Sequence, residues 1–146
     1  MYRAYKQPYK EQTKTLTRSH NYRDNYFKQN SGLAIFGRAV YFCPYCGKAM
    51  SNKSKIAIDH IHSIRKVQYT KRLRERFKHK ADGVNDLSNL VACCKRCNSR
   101  KGKKGGLWVV RGRYGMYFMP IVRLIMRLGF VVVVLYGLWL FLNGYP

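Results

Sequence analysis

Asp59 and His60 are neighbours in the chain. They lie between two cysteine pairs, Cys43-Pro-Tyr-Cys46 and Cys94-Lys-Arg-Cys97, and Asn98 follows the last sulfur directly. Hydrolysing a phosphodiester requires a base for water, a cation for the charge that grows on the phosphate and leaving oxygen, and surroundings that accept a polyanion. Asp59 supplies a hard oxygen suited to Mg²⁺ or Mn²⁺. His60 supplies a proton acceptor whose ordinary pKa is about 6.5. Asn98 supplies a neutral oxygen from a second element.

The cysteines suit a different ion. Zinc takes four ligands in a tetrahedron, with sulfur at about 2.3 Å. Each Cys-x-x-Cys turn presents two thiolates, so Cys43, Cys46, Cys94 and Cys97 close a structural site with no open position. Cys93 is read as a core-facing bystander, since its spacing to Cys97 is wider than a knuckle requires. Structural zinc contributes on the order of 10 kcal/mol to folding in a small domain.

The order and spacing of these groups resemble the HNH endonuclease family, the ββα-metal nucleases. The resemblance spans residues 40–104. It rests on Cys43-Pro-Tyr-Cys-Gly47, on Ile58-Asp-His-Ile61, on Asp86-Leu87-x-Asn89-Leu90-Val91 and on Cys94-x-x-Cys97-Asn98-x-x-Lys101. It implies an α+β fold: a β-hairpin followed by a helix with an ion between them, stapled by a four-cysteine zinc. It implies Asp59 and Asn98 as ligands of a catalytic Mg²⁺ or Mn²⁺ and His60 as general base. Asn89 would orient that base and its loop, and Lys101 would lie near the scissile phosphate. Family members often carry a proline soon after the Asp-His step. Here Ile61-His62-Ser63 follows, and no proline occurs until Pro120.

The elements that must position these groups are partly legible. Lys55 to Ile64 alternates as a strand does, with Ile56, Ile58 and His60 on one side and Ala57, Asp59 and Ile61 on the other. Residues 65–83 are densely basic, and Leu73 and Phe77, four apart, suggest a helical portion. A short helix is expected from about Cys94. Its basic outer face (Lys95, Arg96, Arg100) would, with His62, contact nucleic acid, and Gly102, Gly105 and Gly106 would end it. Three segments follow: a basic, Tyr-rich extension over 1–31, a nuclease domain over 32–106, and a hydrophobic segment over 107–146. Tyr2, Tyr5, Tyr9, Tyr22 and Tyr26 stand among cations, a pattern that suits base stacking as well as a poorly ordered tail.

The chain carries 29 Lys+Arg against 6 Asp+Glu, a formal net charge of +23 over 146 residues. That excess indicates a polyanionic partner, DNA first and an anionic membrane surface second. No secretory signal follows Met1-Tyr2-Arg3, so a cytoplasmic, reducing setting is expected, where paired cysteines indicate metal.

Beyond residue 115 the only charged side chains are Arg123 and Arg127. As a helix, Leu128–Leu142 would reach about 22 Å, short of a hydrocarbon core of roughly 30 Å. Extension back to Ile121 gives the length but includes both arginines. Each would cost about 2.5–3.5 kcal/mol at mid-membrane and less near the end, where it can snorkel. Membrane association through 121–142 is the preferred reading, with the nuclease on the cytoplasmic face. A buried strand or core helix is the alternative, favoured by the Val131–Val134 run. A non-catalytic zinc-knuckle nucleic-acid-binding protein is the rival to the enzyme reading, with Asp59 as a turn cap and His60 as a packed histidine.

Overall fold

A computed structural model describes residues 16–144; Tyr2, Tyr5 and Tyr9 of the aromatic–basic stretch lie outside these. The order is α1 (Tyr22–Gln29), β1 (Leu33–Ile35), β2 (Arg38–Phe42), β3 (Ala49–Met50), β4 (Ile56–His60), α2 (Ile64–Tyr69), α3 (Lys71–Lys78), β5 (Leu90–Cys94), α4 (Lys95–Lys101) and α5 (Leu107–Leu142). Mixed helix and small sheets make this an α+β fold.

The alternation read over 55–64 becomes β4, which pairs antiparallel with β5. The register sets Ile56 opposite Cys94, Asp59 opposite Val91 and His60 opposite Leu90. Ile56 and Ile58 point into a core with Tyr26, Tyr41, Leu90 and Ala92. The other face turns toward Cys43, Tyr45, Ile61, Val91, Cys93 and Cys97. Helix α4 follows β5 without a gap, so β4, β5 and α4 form a ββα unit.

Residues 61–89 make the excursion between the two strands. The helical portion expected in the basic stretch is present as two helices, α2 and α3. Thr70 is extended (φ −112°, ψ 110°) and ends α2 as it begins α3. Both pack through Val67 and Phe77 onto Val84 and Leu16. Residues 16–31 are therefore part of the packed body: Leu16 and Tyr26 are core residues, and the Ala92 N–H donates to the Tyr26 hydroxyl at 3.2 Å.

Helix α5 has two halves with different surroundings. Its first half lies on the Cys43–Cys46 turn at very close range. A Cβ at Gly115 would collide with the Pro44 carbonyl, and one at Gly112 would stand 3.0 Å from the Tyr45 hydroxyl. The Trp108 and Tyr45 rings meet at 5.3 Å. Arg123 donates to the Cys46 carbonyl at 3.1 Å. Beyond that contact the helix touches little: every residue from Leu124 to Leu138 is exposed. The valine run is helical, and Pro120 lies inside the helix.

Candidate active site and zinc centre

The sulfurs of Cys43, Cys46, Cys94 and Cys97 all lie within 4.8 Å of one another. Cys46 Sγ and Cys94 Sγ are 3.9 Å apart. That is far beyond a disulfide bond and close to the roughly 3.8 Å edge of a tetrahedron with zinc–sulfur bonds of about 2.3 Å. Burial and the neighbouring sulfurs push the Cys43 thiol up to about 11. Burial also raises Cys97. At Cys94 burial opposes ionisation, but the Cys97 N–H and the sulfurs around it hold the thiol below its usual range. Four sulfurs packed this closely are positioned for one zinc ion, whose charge stabilises the thiolates that burial disfavours. Cys93, fully buried, faces the same core and lies outside the cluster.

The last two residues of β4 point to opposite faces, as strand neighbours must. Asp59 turns toward the zinc knuckle and is 8% exposed. Its Oδ2 accepts a hydrogen bond from the Tyr45 hydroxyl at 2.5 Å. Lys101 Nζ reaches Oδ2 at 2.9 Å and Oδ1 at 3.1 Å, and it donates to the His60 carbonyl at 2.6 Å. Lys101 is wholly buried. A fully desolvated ammonium persists only when paired and bonded in this way. Lys101 thus stands beside Asp59 inside the domain, and not on the exposed face of α4.

His60 turns the other way. Its Nε2 lies 3.1 Å from Asn85 Oδ1, and its ring meets Tyr22 at 5.2 Å. The Asn85 carboxamide is oriented from behind, because its Nδ2 donates to the Thr17 carbonyl at 2.7 Å. Oδ1 thus faces His60, Nε2 carries the proton, and the Nδ1 lone pair is left to act as a base. Burial lowers the His60 pKa, with the Asn85 bond opposing and Arg18 adding to the decrease. The imidazole is neutral at pH 7, as a base must be.

Asn89 is fully buried. Its Oδ1 accepts from the His62 N–H at 2.8 Å, and its Nδ2 donates to the Val84 carbonyl at 2.8 Å and to the His62 carbonyl at 3.2 Å. It holds the loop after β4, whereas the expected contact to the base itself is made by Asn85. Both ring nitrogens of His62 are buried without a partner among the described residues, and the ring meets Phe77 at 6.0 Å.

Asn98 stands half-buried on α4, one turn before Lys101 and so along the same side of the helix. Lys95, Arg96 and Arg100 form the exposed face of α4, and they share a cleft with Lys48, Lys55 and Arg123.

Sequence reasoning missed Tyr45, Asn85 and Tyr22. Tyr45 had a signal: a tyrosine locked between two metal ligands is buried, and its hydroxyl then needs a partner. Asn85 and Tyr22 had none, because their contacts to His60 exist only in the folded chain.

Residues 43–104 match the family described as HNH endonuclease. That segment contains all four zinc-site cysteines, Asp59, His60, Asn85, Asn89, Asn98 and Lys101. No curated protein and no solved structure matches the chain.

Proposed function

We propose that this protein is a metal-dependent endonuclease that hydrolyses DNA phosphodiester bonds and is anchored to a membrane by α5. The observation that carries the nuclease reading is the His60 imidazole. Asn85 fixes it as the Nε2–H tautomer, it is neutral, and it lies next in the chain to a carboxylate. In the reaction a water gives its proton to His60 Nδ1. The water oxygen attacks phosphorus, the bond to the 3′ oxygen breaks, and that oxygen takes a proton from solvent.

Asp59 and Asn98 offer the oxygen donors that a hard divalent cation prefers. A carboxylate has about four lone-pair sites, and Tyr45 and Lys101 occupy three at Asp59. Asp59 would hold such an ion through the lone pair that Tyr45 and Lys101 leave open. When bound, such an ion supplies charge stabilisation for the leaving oxygen. Lys95, Arg96 and Arg100 supply phosphate contacts that are blind to sequence.

The membrane reading rests on α5. It holds an 18-residue window of mean hydropathy 2.2, none of it buried. A helix that is apolar all round and covered by nothing fits a bilayer better than water. The basic body on the arginine side of that helix favours a cytoplasmic face.

The test uses the full chain in neutral detergent with supercoiled plasmid. Mg²⁺ or Mn²⁺ should support nicking, and His60→Ala should remove it while zinc content stays at that of the wild type. A second reading, a zinc-stapled DNA binder without catalysis, draws on one observation: Asp59 and Lys101 form a closed, buried ion pair. DNA retention without nicking under either metal would favour it.

A further inference from the structure

Where α5 leaves the folded body, three cations converge on a small cleft: Lys48 from the turn after Cys46, and Arg123 and Arg127 from the helix. Phe42, Pro120 and Leu124 supply its apolar lining, and it encloses about 340 Å³. Among the described residues, no acidic side chain lines it. Arg123 is half-buried and anchored to the Cys46 carbonyl at 3.1 Å, so the collar is fixed to the zinc knuckle and does not swing freely. Lys48 and Arg127 are exposed and line the cleft from either side of Arg123.

The position of this collar along the helix matters as much as its charge. From Arg123 to Leu142 an α-helix extends about 29 Å, close to a hydrocarbon core of roughly 30 Å. If α5 spans a bilayer, Arg123 and Arg127 fall at the near boundary, where long cationic side chains reach headgroups. A cleft that is cationic on one side and apolar on the other, at that depth, matches an amphiphile. Its phosphate would meet the cations, and the first part of an acyl chain would lie along Leu124. Duplex DNA has no apolar part to use that wall.

We infer that the Lys48–Arg123–Arg127 collar is a binding site for the headgroup of an anionic phospholipid. The inference rests on the membrane reading above.

The test takes the full chain in neutral detergent and titrates it with phosphatidylglycerol or phosphatidylcholine, counting bound lipid by native mass spectrometry. Phosphatidylglycerol should bind roughly ten-fold better than phosphatidylcholine, and Lys48→Gln with Arg127→Gln should erase most of that difference. Both positions are exposed, so the double variant keeps the fold, and its zinc content checks this. Equal binding of the two lipids overturns the proposal. Displacement of phosphatidylglycerol by inorganic phosphate or by a short duplex DNA at matched phosphate also overturns it, assigning the collar to those ligands. Insertion is scored separately, as resistance to alkaline carbonate in pure phosphatidylcholine vesicles. A chain that inserts without headgroup preference sinks the lipid site alone; a chain that does not insert sinks the span as well.

Discussion

At the scale of single residues, the sequence offers the groups whose types suit chemistry: Asp59, His60, Asn98 and the four cysteines, which the fold gathers into one cluster. What holds them was not legible, because it depends on hydrogen bonds between distant positions. Tyr45 is the clearest case. Its hydroxyl donates to Asp59 from a residue that the zinc ligands on either side fix in place. Tyr45→Phe keeps the ring against Trp108 and removes only that bond. A hydrogen bond to a charged group contributes about 1.5–3 kcal/mol. We expect wild-type zinc content and near-normal DNA binding, with the Mg²⁺ concentration for half-maximal nicking changed by about ten-fold or more. An unchanged metal titration would show that Tyr45 merely fills space. His62 gives a second prediction. Burial lowers its pKa, and Arg113, Arg76, Lys66 and Lys101 add to the decrease. As pH falls through about 6.5, the unfolded chain takes up a proton that the folded chain refuses, so stability falls with it. The melting temperature should decline between pH 7.5 and 5.5, and His62→Leu should flatten part of that decline. Parallel curves for the two proteins would remove His62 as a source.

At the scale of elements, β4 and α4 were legible because period-two alternation and a cysteine turn followed by basic residues are local signals. Helix α1 was not, since its sequence is polar and its burial rests on Tyr26, with Tyr22 and Phe27 beside it, packed on distant strands. The break at Thr70 lacks a glycine or proline to announce it. Helix α5 was ambiguous because valines favour strands in water, and among the described residues no strand pairs with them. Its seating depends on two glycines, Gly112 and Gly115, as well as on Trp108 and Val109. Gly115 lies so close to the Pro44 carbonyl that any Cβ forces the helix away from the knuckle. Gly129, on the exposed half, has nothing within 4 Å. Gly115→Ala should lower stability by about 1–3 kcal/mol, in the range of overpacking. Gly129→Ala should be neutral or slightly favourable, since alanine exceeds glycine in helix propensity by about 1 kcal/mol. Thermal unfolding of the two variants, side by side, checks both signs. Equal gain at both positions would mean that helix propensity, not docking, sets the effect.

Across the whole molecule, the knuckle Cys43–Cys46 is the point through which the candidate active site and the apolar helix are joined. Tyr45 leads from it to Asp59; the Pro44 and Cys46 carbonyls lead from it to Gly115 and Arg123. The core around Val67, Phe77, Val84 and Leu16 stands apart from it. Zinc should therefore hold two functional regions together while leaving the third cluster nearly independent. Removing zinc with a strong chelator leaves the four sulfurs to protonate, and the turn loses its anchor. Hydrogen exchange should then rise together at residues 43–47, at Asp59 and His60, and along 107–120, while amides around Val67 and Phe77 stay protected longer. Loss of protection everywhere at once would make the ion a clamp on the whole fold. Retained protection over 107–120 would show that the direct packing of α5 on Ile61, where Gly112 faces that side chain, holds the helix without the knuckle.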